Sequence, residues 1–132
     1  MGSIQPQPIA NQPDGSIAIA DIGAYIKPDD MHFARSRLLA LENTIGGRVL
    51  GAAYMADATA FAHARGLATH LDGAMICNAA VKQGISLQDA AAGFDTISVC
   101  LSKGLGAPVG SLLLGPKAFI EQGKRWHRGL ES

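Results

Sequence analysis

The sequence predicts an α/β fold in which helices flank a mostly parallel sheet. Short apolar segments alternate along the chain with longer segments of helical periodicity, which is the pattern of strands joined by helices. Several short segments are continuously apolar, as expected for strands covered on both faces. Hydrophobic residues make up 48% of the 132 residues, which is enough to fill one core. We therefore expect one domain, with a loop-rich lead over residues 1–30 and an α/β core over residues 36–128.

The first half of the core is assigned from apolar runs and glycine or proline boundaries. The N-terminal segment is rich in Pro, Gln, Asn and Gly and is predicted to be loop, and a short helix then ends before Pro28. Apolar residues at helical spacing, followed by Gly66 as a C-terminal cap, make the next helix the clearest one. The predicted elements are loop 1–16, helix 21–26, strand 38–41, loop 43–51, helix 54–65 and strand 67–71, with both strands buried on both faces.

The second half of the core continues the same alternation. Gly84 ends one helix, Ser86 is a suitable N-cap for the next, and Pro116 is well placed to open the last. The predicted elements are helix 76–83, helix 87–92, strand 96–100, strand 109–114 and helix 117–128.

The composition argues against several classes of partner. The formal net charge is 0, so no electrostatic signal suggests nucleic acid or an anionic membrane, and no apolar run approaches the ~20 residues that span a bilayer. The N-terminus lacks the basic start and apolar stretch of a signal peptide. Cys77 and Cys100 stand far apart among small or apolar residues, which indicates buried free thiols in a reducing cytosol and no zinc site. A cytoplasmic protein is expected.

Polar residues follow three of the predicted strands: Glu42 and Asn43, Asp72, and Lys103. Ligands of parallel α/β sheets bind beyond the carboxyl ends of the strands, so these positions are the first candidates for a site. Lys103 stands among Ser102, Gly104 and Gly106, where a desolvated amine could lose its proton and attack a carbonyl to form an imine. The alternative from the local sequence is a surface lysine in a polar turn.

Asp72 strengthens the functional interpretation of Lys103. It ends the strand that lies one strand–helix–strand unit before Lys103, so the two side chains are expected at neighbouring strand ends. A carboxylate at that place could keep the ring nitrogen of a lysine-linked pyridine protonated and make the ring an electron sink. The alternative, which is compatible with the first, is that Asp72 caps the following helix.

Two segments of the chain resemble a known enzyme family. Residues 70–74 (HLDGA) and 98–111 (SVCLSKGLGAPVGS) are similar to the aspartate and lysine motifs of the low-specificity L-threonine aldolases. These belong to the β-eliminating lyase group of fold-type I enzymes, which use pyridoxal 5′-phosphate (PLP). Further similar stretches are Gly2 to Pro8, Lys27 to Arg35, Leu41 to Thr44, and Arg125-Trp126.

The resemblance implies a function and a set of site residues. Lys103 would form the Schiff base with PLP, Asp72 would contact the ring nitrogen, and Ser102 would be a further cofactor contact. Glu42, Asn43 and Met75 are the substrate-side candidates. The substrate would be threonine or allo-threonine, cleaved by a retro-aldol reaction to glycine and acetaldehyde, in a homo-oligomer (dimer or tetramer).

Three departures from the family pattern leave other interpretations open. Met75 stands where the family has an arginine, and Ile45 stands where it often has a histidine, so two polar groups are replaced by apolar ones. Family members are more than twice as long, so the chain is expected to be an incomplete fold-type I large domain. The alternatives are a catalytically degenerate fragment that keeps the sheet, and another reaction of the same lysine such as β-elimination. Of the remaining histidines, His63 is expected to be solvated on its helix, and His70 is a weaker candidate for lining the site.

Overall fold

The computed structural model describes residues 4–130, with side chains described through residue 127. A single sheet of four strands has the order β1-β2-β3-β4; β1, β2 and β3 are parallel, and β4 is antiparallel to β3. The predicted α/β class with a mostly parallel sheet is confirmed. The elements, in chain order, are α1 (Ile19–Tyr25), β1 (Leu38–Glu42), α2 (Ala52–Ala64), β2 (Ala68–Asp72), α3 (Ile76–Gln83), α4 (Leu87–Ala90), β3 (Thr96–Cys100), β4 (Ser111–Leu114) and α5 (Lys117–Leu130).

The helix boundaries follow the capping signals in the sequence. Gly66 and Gly84 have φ angles of 73° and 67°, left-handed conformations that glycine adopts without steric cost and that end α2 and α3. The Ser86 hydroxyl accepts a hydrogen bond from the Asp89 backbone N–H at 3.0 Å and caps α4. The start of α2 is capped from outside, because the Ala52 N–H donates to Gln83 Oε1 at 3.0 Å. No local signal indicated this last contact.

The prediction that β1 and β2 are buried on both faces is wrong. Leu39, Leu41 and Leu71 are buried in the core against α2 and α3, but Leu38 is 55% exposed and Ala40 is exposed. The reason is that the helices of the described chain cover one face of these strands. The opposite face is exposed and carries the polar side chains of Glu42 and Asp72 at the ends of the two strands.

The last strand also differs from its prediction. β4 begins at Ser111, because the residues before it belong to the loop that follows β3, and Val109 is 79% exposed. Leu112, Leu113 and Leu114 are each 45–48% exposed. An apolar strand sequence therefore does not mean that this strand is buried. The strand is at the edge of the sheet, where one side of its backbone has no neighbouring strand among residues 4–130.

No helix over residues 4–130 is long and apolar enough to cross a bilayer. No group of three or more His, Cys, Asp or Glu side chains in that range is placed to hold a metal ion. Cys77 and Cys100 are free thiols, as expected, but both are half-buried and not fully buried.

The amino ends of β2 and β3 are joined by a polar cluster that the sequence did not indicate. Asp95 Oδ2 accepts the Thr69 backbone N–H at 2.7 Å and the Thr69 hydroxyl at 3.0 Å, and it lies 3.0 Å from His63 Nε2. His63 was expected to be merely solvated; its ring is partly exposed but paired with Asp95. The His63 side chain, followed by the Thr69 backbone N–H, lowers the pKa of the Asp95 carboxyl.

We expect Asp95→Asn to lower the free energy of unfolding by about 1 kcal/mol at neutral pH, a small value because the pair is partly exposed. The pKa of Asp95 is lower in the folded chain than its ordinary value of 3.8, so its contribution is present above pH 3.8 and lost as the pH falls further. Urea denaturation of the wild type and the variant across this pH range would measure the difference. The exposed Asp57→Asn is the control, and equal losses for both variants would contradict the assignment.

Candidate active site

The two motif-bearing strands are direct neighbours in the sheet. β2 and β3 pair in parallel, with Asp72 opposite Ser98. Just beyond this pair, the Gly73 N–H donates to the Ser98 carbonyl at 2.8 Å, so the chain turns away from β2 in close contact with β3. The prediction that the aspartate and lysine segments follow adjacent strands is therefore confirmed.

Asp72 presents an exposed carboxylate and does not cap α3. Its Oδ1 accepts a hydrogen bond from the Ala74 N–H at 3.1 Å, two residues along the chain and before the helix begins. The residue at the N-cap of α3 is Met75, which makes no side-chain cap hydrogen bond. The prediction that Asp72 caps the following helix is therefore wrong. Its carboxylate is exposed at the end of the sheet.

Lys103 lies in a compact loop that leaves β3 and returns as β4. The loop is closed where the Leu101 N–H donates to the Gly110 carbonyl and the Ala107 N–H donates to the Leu101 carbonyl, both at 2.9 Å. Inside it, the Gly106 N–H donates to the Lys103 carbonyl at 3.0 Å, and Gly106 has a φ angle of 67°. Lys103 is thus the first residue of a tight turn that needs glycine at its end.

The expected desolvation of Lys103 is not observed. Lys103, Ser102 and Gly104 are all exposed, because the loop projects beyond the strand ends and no described element packs over it. The loop instead rests sideways on α3. A Cβ built on Gly104 would overlap the movable Asn78 Oδ1 and would lie 3.3 Å from Cys77 Cβ, so the loop backbone is packed closely against the helix.

Two cavities lie beside these segments. The first, of about 240 Å³, contains Asp72 and Glu42 among its lining residues, which are Asn11, Gly15, Ile17, Ala40, Leu41, Glu42, Ile45, Leu50, Tyr54 and Asp72. The second, of about 340 Å³, lies between α3 and the lysine loop and is lined by Cys77, Asn78, Val81, Lys82, Gly104 and Leu105. Lys103 lines neither of the two, and its side chain is exposed.

Cys100 belongs to this end of the sheet, although its sequence context suggested only a buried thiol. Its Sγ lies 3.1 Å from Ser102 Oγ, so the candidate cofactor contact Ser102 is engaged with a thiol. The Ser102 hydroxyl, followed by its backbone N–H and the Lys103 ammonium, lowers the pKa of Cys100. The only available signal was the alternation of side chains along β3, which places Cys100 on the same face as Ser98 and Thr96.

Tyr54 is a second residue that the sequence did not single out. Its hydroxyl accepts the Ile17 N–H and donates to the Ile17 carbonyl, both at 2.9 Å, which ties the N-terminal segment to α2. Burial raises the pKa of this phenol. Because Asn11, Gly15 and Ile17 line the first cavity together with Asp72 and Glu42, the contact holds part of the cavity lining in place.

Asn43 is buried, with an exposed fraction of 1%, and its side chain faces the loop that follows β1. Its Nδ2 donates to the Leu50 carbonyl at 3.0 Å and its Oδ1 accepts the Leu50 N–H at 3.1 Å. Both halves of the amide are therefore engaged with one backbone residue. Asn43 shapes the loop that follows β1, and its expected place on the substrate side stays a prediction.

We expect Asn43→Ala to lower the free energy of unfolding by about 2 kcal/mol, because a buried backbone N–H and carbonyl of Leu50 would lose their partners. Chemical denaturation followed by circular dichroism would measure it. Asn78→Ala, which removes an exposed amide, is the matched control. A loss no larger than that of the control would show that Asn43 does not hold the loop.

The two replaced family positions flank the site. Met75 is half-buried at the start of α3, immediately after the Asp72 turn, and Ile45 is half-buried on the wall of the first cavity. His70 lies on the same face of β2 as Asp72, and its Nδ1 is 2.8 Å from Thr96 Oγ1. The strand ends thus combine a carboxylate, an amine, a hydroxyl and a thiol with apolar side chains at positions 45 and 75.

The chain matches the beta-eliminating lyase family over residues 1–131. It belongs to that family. The low specificity L-threonine aldolases of Escherichia coli O157:H7 and K12 are 49% and 48% identical to it over 128 residues, or 97% of this chain. The structure of Leishmania major threonine aldolase has a TM-score of 0.70 and 27% identity, over 79% of this chain and 31% of that one. The chain spans 38% of the length of the E. coli relatives.

The side chains present fit the cofactor on which this family depends, which is PLP. A protonated pyridine nitrogen donates to an acceptor such as a carboxylate, and the carbonyl carbon of the cofactor is attacked by an amine. Asp72 and Lys103 supply these groups from adjacent strand ends, and both side chains are exposed. The predicted fold, part of a fold-type I large domain, agrees with the likeness to threonine aldolase structures.

Proposed function

We propose that this chain carries the cofactor-binding centre of a PLP-dependent carbon–carbon lyase of the L-threonine aldolase type. The substrate would be threonine or allo-threonine, and the products would be glycine and acetaldehyde. The observation that carries the proposal is the pairing of β2 with β3, since it brings Asp72 and the Lys103 loop to one end of the sheet. The family membership and the identity to threonine aldolases support the same reaction.

Each proposed residue has a role that its placement permits. Lys103 would attach the cofactor through its amine, and the closed turn would keep that amine in one place. Asp72 would hold a proton on the ring nitrogen through its exposed carboxylate. When bound, PLP supplies an electron sink for the charge that develops at the substrate Cα as the Cα–Cβ bond breaks. Ser102, held against Cys100, would line the cofactor side of the loop.

Met75 is proposed on the substrate side, whereas Glu42, which was also expected there, lies beside Asp72 and is assigned to the cofactor ring. Glu42 is exposed at the end of β1 next to Asp72, whereas Met75 offers a thioether where the family has a guanidinium. In the retro-aldol reaction the substrate hydroxyl loses its proton, the Cα–Cβ bond breaks, and Cα regains a proton. With Ile45 in place of a histidine, position 45 cannot accept the hydroxyl proton in this chain.

The reaction is tested by incubating the chain with PLP and L-threonine and measuring glycine and acetaldehyde. The proposal expects both products in equal amounts, and their loss on Lys103→Ala. The second candidate is a catalytically degenerate chain that keeps the sheet and the lysine, which the apolar Met75 and Ile45 favour. That candidate predicts no glycine from the unsubstituted chain with PLP and L-threonine, and glycine formation by that chain would rule it out.

The setting of the protein is also proposed. A homo-oligomer, dimer or tetramer, is supported by the exposed leucines of β4 at the sheet edge, which would be covered by a neighbour. A cytoplasmic location is supported by the two free thiols. Light scattering of the purified protein would test the first statement, and localisation of a tagged chain would test the second.

A further inference from the structure

Glu42 and Asp72 form a pair of carboxylates at the end of the sheet. They are Cα partners in the parallel register of β1 and β2, and the Asn43 N–H donates to the Asp72 carbonyl at 3.0 Å, so the pairing extends beyond the strands. Adjacent strands lie about 4.8 Å apart, which places the two side chains within reach of each other. Both are exposed, and both alternate with the buried Leu41 and Leu71, so they are on the same face.

The same two carboxylates line one wall of the first cavity. The N-terminal segment that Tyr54 holds through Ile17 also lines this cavity, so the two carboxylates lie in a partly open hollow of the surface. Among residues 4–127, whose side chains the structure describes, neither Glu42 nor Asp72 is paired with a basic side chain. Two neighbouring acids without a cation favour a ligand group that brings positive charge.

We propose that Glu42 is a positioning residue for the cofactor ring and keeps the ring nitrogen protonated together with Asp72. The inference rests on the proposed function, since it assumes that Asp72 faces the ring nitrogen. Asp72 makes the direct contact, and Glu42 adds a second negative charge one strand away. A negative charge within a few ångströms raises the pKa of a nitrogen base by about one unit or more. The site thereby holds the electron-accepting form of the ring at higher pH than one carboxylate would.

The test uses pyridoxine 5′-phosphate, which has a hydroxymethyl group in place of the aldehyde and cannot bond to Lys103. Its affinity is measured by equilibrium dialysis, and the protonation of its ring by ultraviolet absorbance across pH. Glu42→Gln is expected to weaken binding about tenfold and to lower the midpoint of the bound ring's titration by about one pH unit. Glu42→Asp, which keeps the charge, should remain close to the wild type. Glu121→Gln, an exposed acid on α5, is the control for net charge.

The outcomes separate this inference from the proposed function. If the wild type binds and Asp72→Asn weakens binding, but Glu42→Gln leaves the affinity and the titration midpoint unchanged, the role of Glu42 is wrong and the cofactor site stands. If Glu42→Asp loses binding as fully as Glu42→Gln, the side chain acts through the shape of the site and not through its charge, which also overturns the inference. If the wild type does not bind the probe, the proposed function fails and this inference fails with it.

Discussion

Replacing Gly73 by alanine is expected to destabilise the chain by about 3 kcal/mol, because overpacking and a lost backbone hydrogen bond act together at this position. A Cβ on Gly73 would lie 2.8 Å from the Ser98 carbonyl oxygen, and that oxygen already accepts the Gly73 N–H. It would also lie 3.2 Å from Ile97 Cγ2 and 3.3 Å from Ile76 Cβ. Backbone atoms cannot rotate away, so β2 and β3 must separate where Asp72 and the lysine loop meet.

Urea denaturation measures the loss of stability, and Gly123→Ala is the matched control. A Cβ on Gly123 would meet Leu113 at 3.7 Å, an ordinary contact, and alanine has the higher helix propensity. We expect Gly123→Ala to be neutral or stabilising and Gly73→Ala to be strongly destabilising. Similar stability of the two variants would mean that β2 and β3 are not in the close contact described here.

Replacing Lys103 by arginine is expected to abolish covalent attachment of PLP and to reduce threonine cleavage by about a thousandfold or more, the scale of effect when an enzyme's nucleophile is removed. A guanidinium stays charged and has no free amine with which to attack a carbonyl. The fold should not change, because the Lys103 side chain is exposed and its turn depends on the backbone carbonyl. The loss would therefore report on chemistry and not on stability.

Visible absorbance after addition of PLP measures attachment, and circular dichroism checks the fold. Lys82→Arg is the control, since Lys82 lines the second cavity beside the lysine loop without belonging to the loop. Attachment should persist in Lys82→Arg. If Lys103→Arg bound PLP covalently as well as the wild type, the amine of Lys103 would not be the point of attachment.

Local signals in the sequence predicted most of the secondary structure. Helix 76–83 and strand 96–100 agree with the structure at both ends, because a glycine or a change of periodicity marks each boundary. The burial of β1 and the direction of β4 were not predictable in the same way. Both depend on which elements cover a strand or lie beside it, and an apolar run is the same whether one face or two are covered.

The part of the site that depends on the order of strands in the sheet was predictable from the sequence. Alternating strands and helices placed Asp72 next to the lysine segment, and β2 and β3 are neighbours. The engagement of Asn43 with Leu50, the contact of Ser102 with Cys100 and the exposure of Lys103 depend on the path of loops. Loop paths are determined by hydrogen bonds between residues distant in sequence, such as Tyr54 with Ile17, which no periodicity encodes.

The central claim is that the amine of Lys103 and the carboxylate of Asp72 serve one cofactor at the shared end of β2 and β3. It is tested most directly by adding PLP to the chain, reducing with borohydride, and locating the modified lysine by peptide mass spectrometry. Modification is expected at Lys103, with a yield that falls in Asp72→Asn. Modification spread over Lys27, Lys82, Lys117 and Lys124, or a yield that ignores Asp72, would contradict it.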